Sequence, residues 1–234
     1  MVRRLTATLV VLLAGSLMIV KAHDFGMQIT WNREISRIVY DHCASCHREG
    51  GTSFSLMTYR EAQPYADEIK EAVLTRRMPP WGAVKGFGEF RNDQGLTQEQ
   101  VELVTNWVEG GIMKGNNPNM LPKPPKFEPT APFRPPAGAL RISGTVMLKD
   151  AFTLDGLLPE TAPNGTQIVA VLPDGGVKPL LWLYEYDDNY KHPFLLRKPL
   201  TLPAGTIIRG VRPSASVTLL PPVAKSTPSS KGTQ

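Results

Sequence analysis

The sequence predicts an α+β protein of more than one domain, with an all-α domain followed by an antiparallel β-sandwich domain. Apolar residues recur at helical spacing over residues 30–112. Short runs of β-branched and aromatic residues, broken by Gly and Pro, occupy residues 139–221. A proline-rich stretch separates the two patterns. The 234 residues, of which 41% are hydrophobic, are enough for two modest cores.

The N-terminal residues are typical of a signal peptide. Arg3 and Arg4 precede an apolar run over residues 5–20, and residues 20–22 suit a cleavage site. The run is shorter than the roughly 20 residues that a membrane span needs, although an uncleaved membrane anchor stays the alternative. We therefore expect a periplasmic or otherwise exported protein, with no membrane span once the leader is removed.

The net charge excludes some classes of partner. The formal charge is +5, and it falls to +2 without Arg3, Arg4 and Lys21 of the predicted leader. This surplus is too small to indicate binding to nucleic acid or to an anionic membrane surface.

Capping patterns mark the helices of the first domain. Thr58 with Glu61, and Thr97 with Gln100, form capping boxes at predicted helix starts. The second of these helices carries an apolar stripe that includes Trp107, and two glycines after residue 109 are suited to ending it.

The rest of the chain divides into a connector, strands and a tail. Eight prolines over 117–137 predict an extended, semi-rigid linker. The best predicted strands are 140–148, 167–172, 177–184 and 206–211. The predicted division is a signal peptide (1–22), a helical domain (23–116), a proline-rich linker (117–137), a β-sandwich domain (138–221) and a disordered tail (222–234).

The motif with the clearest chemistry is Cys43-Ala44-Ser45-Cys46-His47, which matches the C-x-x-C-H attachment motif of c-type haem. Two thiols at this spacing on a helical turn can each bond one haem vinyl group, and His47 then lies under the iron. A redox-active dithiol, a structural disulfide and half of a zinc site are the alternatives. The first needs a βαβ context and the last a second Cys/His pair, and neither is evident.

A methionine is a better candidate than a histidine for the sixth ligand of the iron. Met78 follows a helix in Arg76-Arg77-Met78-Pro79-Pro80-Trp81, where two prolines stiffen the loop. Met57 is a second candidate, although it follows His47 closely. The remaining histidines are His23, His42 and His192. We expect His23 to be solvated at the mature N-terminus. His42 adjoins Cys43 and cannot easily reach the far side of the haem. We expect His192 to have a surface or structural role.

The first region resembles a bacterial mono-haem cytochrome c domain. The matching stretches are 43–51, 54–56, Tyr59, 78–81, 88–90 and the Trp107 helix. The resemblance implies a class I-like fold, one covalent haem c, thioether bonds at Cys43 and Cys46, and His47 and Met78 as axial ligands. It also implies that a backbone carbonyl in the loop after His47 accepts a hydrogen bond from its ring, although Ser53 stands where many members have proline.

The second region resembles the C-terminal β-module of copper type II, ascorbate-dependent monooxygenases. The similar stretches are 172–175, 180–182, 186–187 and 202–206. The copper-binding histidines of that module have no counterpart, because His192 is the only histidine of this region. The resemblance therefore implies that the β-region shares the fold of that module but not its copper chemistry.

These features together predict that the protein transfers electrons and is not itself an enzyme. His/Met ligation leaves no open iron position, and the partners are then redox proteins of unknown identity. The alternatives are a haem enzyme or gas sensor with an open distal site, and a non-catalytic subunit of a periplasmic oxidoreductase. The β-region is expected to dock or scaffold. If the domains are independent, removing residues 138–234 should leave the haem spectrum intact.

Overall fold

The computed structural model describes residues 28–128 and 133–223. The predicted signal peptide and residues 224–234 of the predicted tail lie outside these residues. No helix in the described part of the chain is long and apolar enough to cross a membrane.

Three helical segments occupy the described part of the first region. The first is a π-helical turn, Trp31–Ile35, that runs into α1 (Ser36–His42). The second consists of α2 (Tyr59–Ala62), a 3-10 turn and α3 (Ala66–Leu74). The third is α4 (Gln98–Glu109). Both predicted capping boxes are confirmed. The hydroxyls of Thr58 and Thr97 each accept from the backbone N–H three residues on, and their own backbone N–H groups donate to the side chains of Glu61 and Gln100.

The helices share a small core built around two tryptophans. Trp31 and Trp107 are each 1% exposed, and their ring centroids lie 6.1 Å apart. The indole N–H of Trp107 donates to the carbonyl of Met113 at 3.0 Å, which satisfies its polar atom inside this apolar cluster. The core therefore ties the first helical segment to α4.

Two four-stranded antiparallel sheets form the second region. The strands are β1 (Leu140–Ile142), β2 (Val146–Met147), β3 (Phe152–Thr161), β4 (Gln167–Val171), β5 (Val177–Trp182), β6 (Phe194–Leu202), β7 (Ile207–Arg209) and β8 (Ser216–Leu220). Their order is β1-β8-β3-β6 in the first sheet and β2-β7-β4-β5 in the second. Side chains of both sheets, such as Leu157 and Ile168, belong to one hydrophobic core.

The sequence predicted β4 and β5 well but missed β3, β6 and β8. Asp155, Gly156 and Pro159 interrupt the β3 pattern, and Pro199 interrupts β6. Pairing with neighbouring strands overrides these local preferences, and the ladder of β3 shifts register between Leu154 and Gly156.

Residues 81–92, here called the edge segment, attach the first region to both sheets. The N–H of Val84 donates to Trp182 at 2.9 Å, and the N–H of Tyr184 donates to Gly82 at 2.8 Å, at the end of β5. On the other side, the N–H of Arg91 donates to Leu195 of β6 at 2.9 Å. Because β5 and β6 are each the last strand of their sheet, the edge segment occupies backbone groups that would otherwise be open.

Side chains of the edge segment also enter the β core. Trp81 is 4% exposed and Phe90 is 8% exposed, and both pack against Phe194 with centroid distances of 4.8 and 5.6 Å. At Gly88 the backbone φ is +88°, and a β-carbon would lie 2.5 Å from the carbonyl oxygen of Leu180. Glycine at this position therefore permits the close approach to the sheet.

The predicted fold class, an all-α domain followed by a β-sandwich domain, is wrong. The protein is mainly β, with short helical segments joined by irregular chain over 43–58 and 75–97. Pro79, Pro80 and four glycines explain why helix does not form over the second stretch. Part of that stretch is the edge segment, whose apolar side chains complete the β core.

The described part of the proline-rich connector packs along the helices. Arg37 donates to the carbonyl of Met120 at 3.0 Å, and the guanidinium of Arg48 lies 4.5 Å from the centre of the Phe127 ring. The connector therefore contacts the loop that follows His47, in addition to linking the two regions.

Candidate functional site

The C-x-x-C-H motif forms a single turn directly after α1. The N–H of Cys43 donates to Val39 at 2.9 Å, and the N–H of His47 donates to the carbonyl of Cys43 at 2.9 Å. Ala44 is fully buried between the two cysteines. Cys43, Cys46 and His47 consequently line the same cavity.

A hydrogen bond orients the ring of His47. Its Nδ1 lies 3.1 Å from the carbonyl oxygen of Phe54, and because a carbonyl only accepts, Nδ1 carries the proton. The Nε2 atom then has a free lone pair. Burial lowers the pKa of His47, and the Phe54 carbonyl opposes this shift only in part, so the neutral ring is favoured. A neutral imidazole is the form that binds a metal.

The backbone loop that supplies this carbonyl is closed by two further bonds. The N–H of Ser53 donates to Cys46 at 3.1 Å, and the N–H of Leu56 donates to His47 at 3.1 Å. At Gly51 a β-carbon would lie 2.2 Å from the carbonyl oxygen of Cys46, so a side chain would open the loop. The carbonyl partner expected for the His47 ring is therefore present in this loop, which contains Ser53.

The environment of Cys43 opposes thiolate chemistry. Both cysteines are free in the structure, and burial together with the neighbouring Cys46 raises the pKa of Cys43 to about 12. Redox-active C-x-x-C pairs depend on a lowered thiol pKa and follow a strand, whereas this pair follows α1. The geometry therefore disfavours the thioredoxin-like alternative.

Met78 reaches the cavity from a turn that ends α3. Arg76 adopts a left-handed conformation with φ of 58°, and the N–H of Met78 donates to the carbonyl of Ala72 at 3.1 Å. The guanidinium of Arg76 donates to the carbonyl of Leu96 at 3.0 Å, which ties this turn to the chain before α4. Met78 then lines the same cavity as His47.

The cavity has a volume of about 720 Å³, within the range of sites for small molecules and cofactors. Apolar side chains such as Leu56, Ile69 and Val73 form one part of its wall. Polar residues form another part, and several of them belong to the β-region: Asn189, Tyr190, Lys191 and His192. The site therefore lies between the helices and the sheets.

The other predicted ligand candidates differ in their surroundings. Both ring nitrogens of His42 have partners, the carbonyl of Gln94 and the side chain of Gln100, each at 3.0 Å. Met57 packs against the helical core. His23 lies outside the described residues. His192 was expected at the surface or in a structural role, and its ring stacks on Trp81 and lines the cavity.

The basic and aromatic residues near Met78 differ in whether they line the cavity. Arg77 lines the cavity, whereas Lys85 is exposed and does not line it. Arg76 is engaged with the chain before α4, as described above. Trp81 is buried and lines the cavity as part of the edge segment. Arg77 is thus the basic side chain of this set that is suited to meeting an anionic group inside the cavity.

One acidic residue has a role that the sequence did not indicate. Asp155 is 8% exposed and lies at the register shift of β3. Arg91 of the edge segment donates to both its carboxylate oxygens, at 2.9 and 2.7 Å. This paired contact fastens the edge segment to the first sheet.

The described residues suit a haem better than a metal ion held by protein alone. In residues 28–128 and 133–223, no group of three or more His, Cys, Asp or Glu side chains is placed to hold a metal ion. A haem iron needs at most two protein ligands, since the porphyrin supplies four nitrogens. The cavity contains two thiols, an oriented imidazole and a thioether, which is the donor set of a covalently attached haem.

Comparisons with family models, with curated proteins and with solved structures give no match to this chain. The resemblances noted in the sequence therefore stay predictions.

Proposed function

We propose that this protein carries one covalently attached c-type haem and transfers electrons. Cys43 and Cys46 would form the thioether bonds, and His47 and Met78 would bind the iron. The observation that supports this most strongly is the convergence of all four side chains on one cavity, with the His47 ring held for ligation by the Phe54 carbonyl. A bound haem would supply one-electron redox chemistry.

The role of the protein residues is to hold the iron in one coordination state. If His47 and Met78 held a haem iron, a neutral imidazole and a thioether would favour the low-spin state and would leave no position for substrate, which favours outer-sphere transfer. Phe54 and Tyr65 line the cavity and remain 50% and 41% exposed, so part of its wall is accessible to a redox partner protein. We propose an exported location on the basis of the N-terminal sequence.

Optical spectroscopy tests the proposed ligand set. The full chain, produced with a cytochrome c maturation system, should show a low-spin c-type spectrum with the weak far-red band of sulfur bound to ferric iron. Met78→Ala should abolish that band. Met57→Ala, which removes a methionine from the helical core, is the matched control and should retain it.

Two results would contradict the proposal. A far-red band that survives in Met78→Ala would exclude Met78 as the ligand. A high-spin spectrum in the wild-type protein would instead favour the haem enzyme or gas sensor, because the iron would then have an open position.

A further inference from the structure

The proline-rich connector contacts residues 48–54, here called the His47 loop, at an aromatic side chain. The centre of the Phe127 ring lies 4.5 Å from the guanidinium carbon of Arg48, within the range of a cation–π contact. Arg48 directly follows His47 in the chain. The side chain of Arg37, in α1, also donates to the carbonyl of Met120 at 3.0 Å. The connector is therefore attached to the helical region at two places.

The side chain of Arg48 joins the connector to the His47 loop. A β-carbon at Gly51 would lie 3.0 Å from Nη1 of Arg48, so the guanidinium folds back over the loop. The Nε atom of Arg48 is buried and has no hydrogen-bond partner among the described residues, so that atom does not anchor the side chain. The ring of Phe127 therefore supplies a contact that keeps the guanidinium against the loop.

The His47 loop supplies the hydrogen bond that orients the His47 ring. The chain forms neither helix nor strand between α1, which ends at His42, and α2, which begins at Tyr59. The carbonyl of Phe54, which lies 3.1 Å from Nδ1 of His47, therefore depends on a few contacts within and around the loop. The pair formed by Arg48 and Phe127 is one of these contacts.

We propose that Phe127 is a positioning residue for the haem site, which keeps the His47 loop closed through Arg48 and so maintains the hydrogen bond on His47. This inference rests on the proposed function. A firm hydrogen bond from Nδ1–H makes the imidazole a stronger electron donor to a metal at Nε2, which stabilises the ferric state. Loss of the Phe127 contact should therefore weaken that bond and raise the midpoint potential of the haem.

Amide hydrogen exchange tests whether Phe127 holds the loop, and it needs no haem signal. The backbone N–H groups of Ser53 and Leu56 close the loop on Cys46 and His47. In Phe127→Ala they should exchange about two- to thirtyfold faster than in the wild type, as expected for the loss of one cation–π contact. The amides of α4 lie outside the loop and should exchange as before, whereas a general loss of stability would accelerate both sets.

Redox titration of the full chain tests whether the loop acts on His47. The midpoint potential of Phe127→Ala should be higher than that of the wild type. Phe127→Tyr retains an aromatic face for the guanidinium and should restore both the potential and the slow exchange. Phe133→Ala removes the other phenylalanine of the connector, which is 47% exposed, and is the matched control that should resemble the wild type.

Arg48→Met keeps the test valid if Phe127→Ala disturbs the connector itself. This variant removes the cation but keeps an unbranched side chain, so Ser53 and Leu56 should again exchange faster. Because the two substitutions remove the same contact, combining them should add little to either alone. Fully additive effects would show that Arg48 and Phe127 act independently and would overturn the inference.

The outcomes separate this inference from the proposed function. Wild-type exchange at Ser53 and Leu56 in Phe127→Ala, or equal acceleration in α4, would overturn the positioning role. An unchanged midpoint potential despite faster exchange in the loop would also overturn it, because His47 would then not depend on the loop. A wild-type protein without covalent haem contradicts the proposed function instead, and the exchange rates still decide whether Phe127 holds the loop.

Discussion

The helical core and the β core hold their residues in different ways, and the candidate site lies where they meet. In the helical region, Cys46, His47 and Met78 sit on turns and loops that individual backbone hydrogen bonds hold in place. In the β-region, strand ladders flank the one cavity-lining segment found among the described residues there, residues 189–192. The helical region therefore contributes the proposed ligands and attachment residues, and the β-region contributes one wall of the cavity.

The edge segment makes this comparison testable, because it precedes α4 in sequence but packs with the sheets. Its backbone bonds both β5 and β6, and its side chains Trp81 and Phe90 are buried in the β core. Variants that separate the two regions should therefore damage the cavity, even where they leave every proposed ligand in place.

Removing residues 138–234 is expected to have the largest effect. The truncated chain would expose Trp81 and Phe90 and would lose the cavity wall at 189–192. In contrast to the expectation for independent domains, we predict the loss of a low-spin haem spectrum and of cooperative unfolding. Absorption and thermal melting of the truncated protein would check this, and a wild-type spectrum would show that the helical region is sufficient.

Truncating the aromatic residue at the centre of the contact should have the next largest effect. Phe194 is fully buried and packs against Trp81, Phe90 and His192. Phe194→Ala should lower the free energy of unfolding by about 3–5 kcal/mol. The control Phe133→Ala, at a position 47% exposed, should change it little. Equal effects in denaturant titrations would argue against a shared core at this contact.

Two ion pairs of the edge segment differ in burial, and we expect their removal to change the free energy of unfolding by smaller and unequal amounts. Arg91 and Asp155 form a two-pronged contact at a buried carboxylate, whereas Glu89 and Arg197 are 3.8 Å apart and mostly exposed. Asp155→Asn should cost about 1–3 kcal/mol of unfolding free energy, because it weakens charged hydrogen bonds. Glu89→Gln should cost at most about 1 kcal/mol. Denaturant titration of both variants measures the difference, and the reverse order would contradict the role of Arg91.

The smallest predicted effect is a pH dependence from the capping box at Glu61. Burial acts to raise the pKa of this carboxylate, but hydrogen bonds from Thr58 and Ser55 outweigh it and hold the pKa below its ordinary value of 4.5. On acidification the unfolded chain therefore binds the proton first. The stabilisation is complete above the ordinary pKa and is lost as the pH falls through the lower, folded value.

Glu61→Gln tests this dependence. The variant keeps an oxygen that can accept from the backbone of Thr58 but cannot ionise, so its unfolding free energy should fall less steeply than that of the wild type between about pH 5 and pH 3. Parallel slopes for the two proteins over that range would show that the carboxylate is not stabilised in the folded state.

That the proposed site residues lie together was easier to predict than the fold, for a physical reason. Cys43, Cys46 and His47 are adjacent in sequence, so their spacing alone brings them together, and the prolines after Met78 indicated a fixed loop. The burial of Trp81 depends on Phe194, more than 100 residues away, and no local pattern reports such a contact.

His192 shows the same limitation. The sequence predicts a surface or structural role for this residue, and only the folded structure shows that its ring stacks on Trp81 and lines the cavity. Strands β3 and β6 were missed because they contain proline and charged residues that ladder pairing tolerates in the folded protein.

Covalent attachment of haem is the most direct test of the account. The intact mass of the purified protein should exceed the mass calculated for its polypeptide by one haem, and the haem should survive denaturation and extraction with acidified organic solvent. The Cys43→Ser/Cys46→Ser double variant should have the mass calculated for its polypeptide alone. A wild-type protein that is exported and folded, yet has the mass of the polypeptide alone after production with a cytochrome c maturation system, would contradict the central claim.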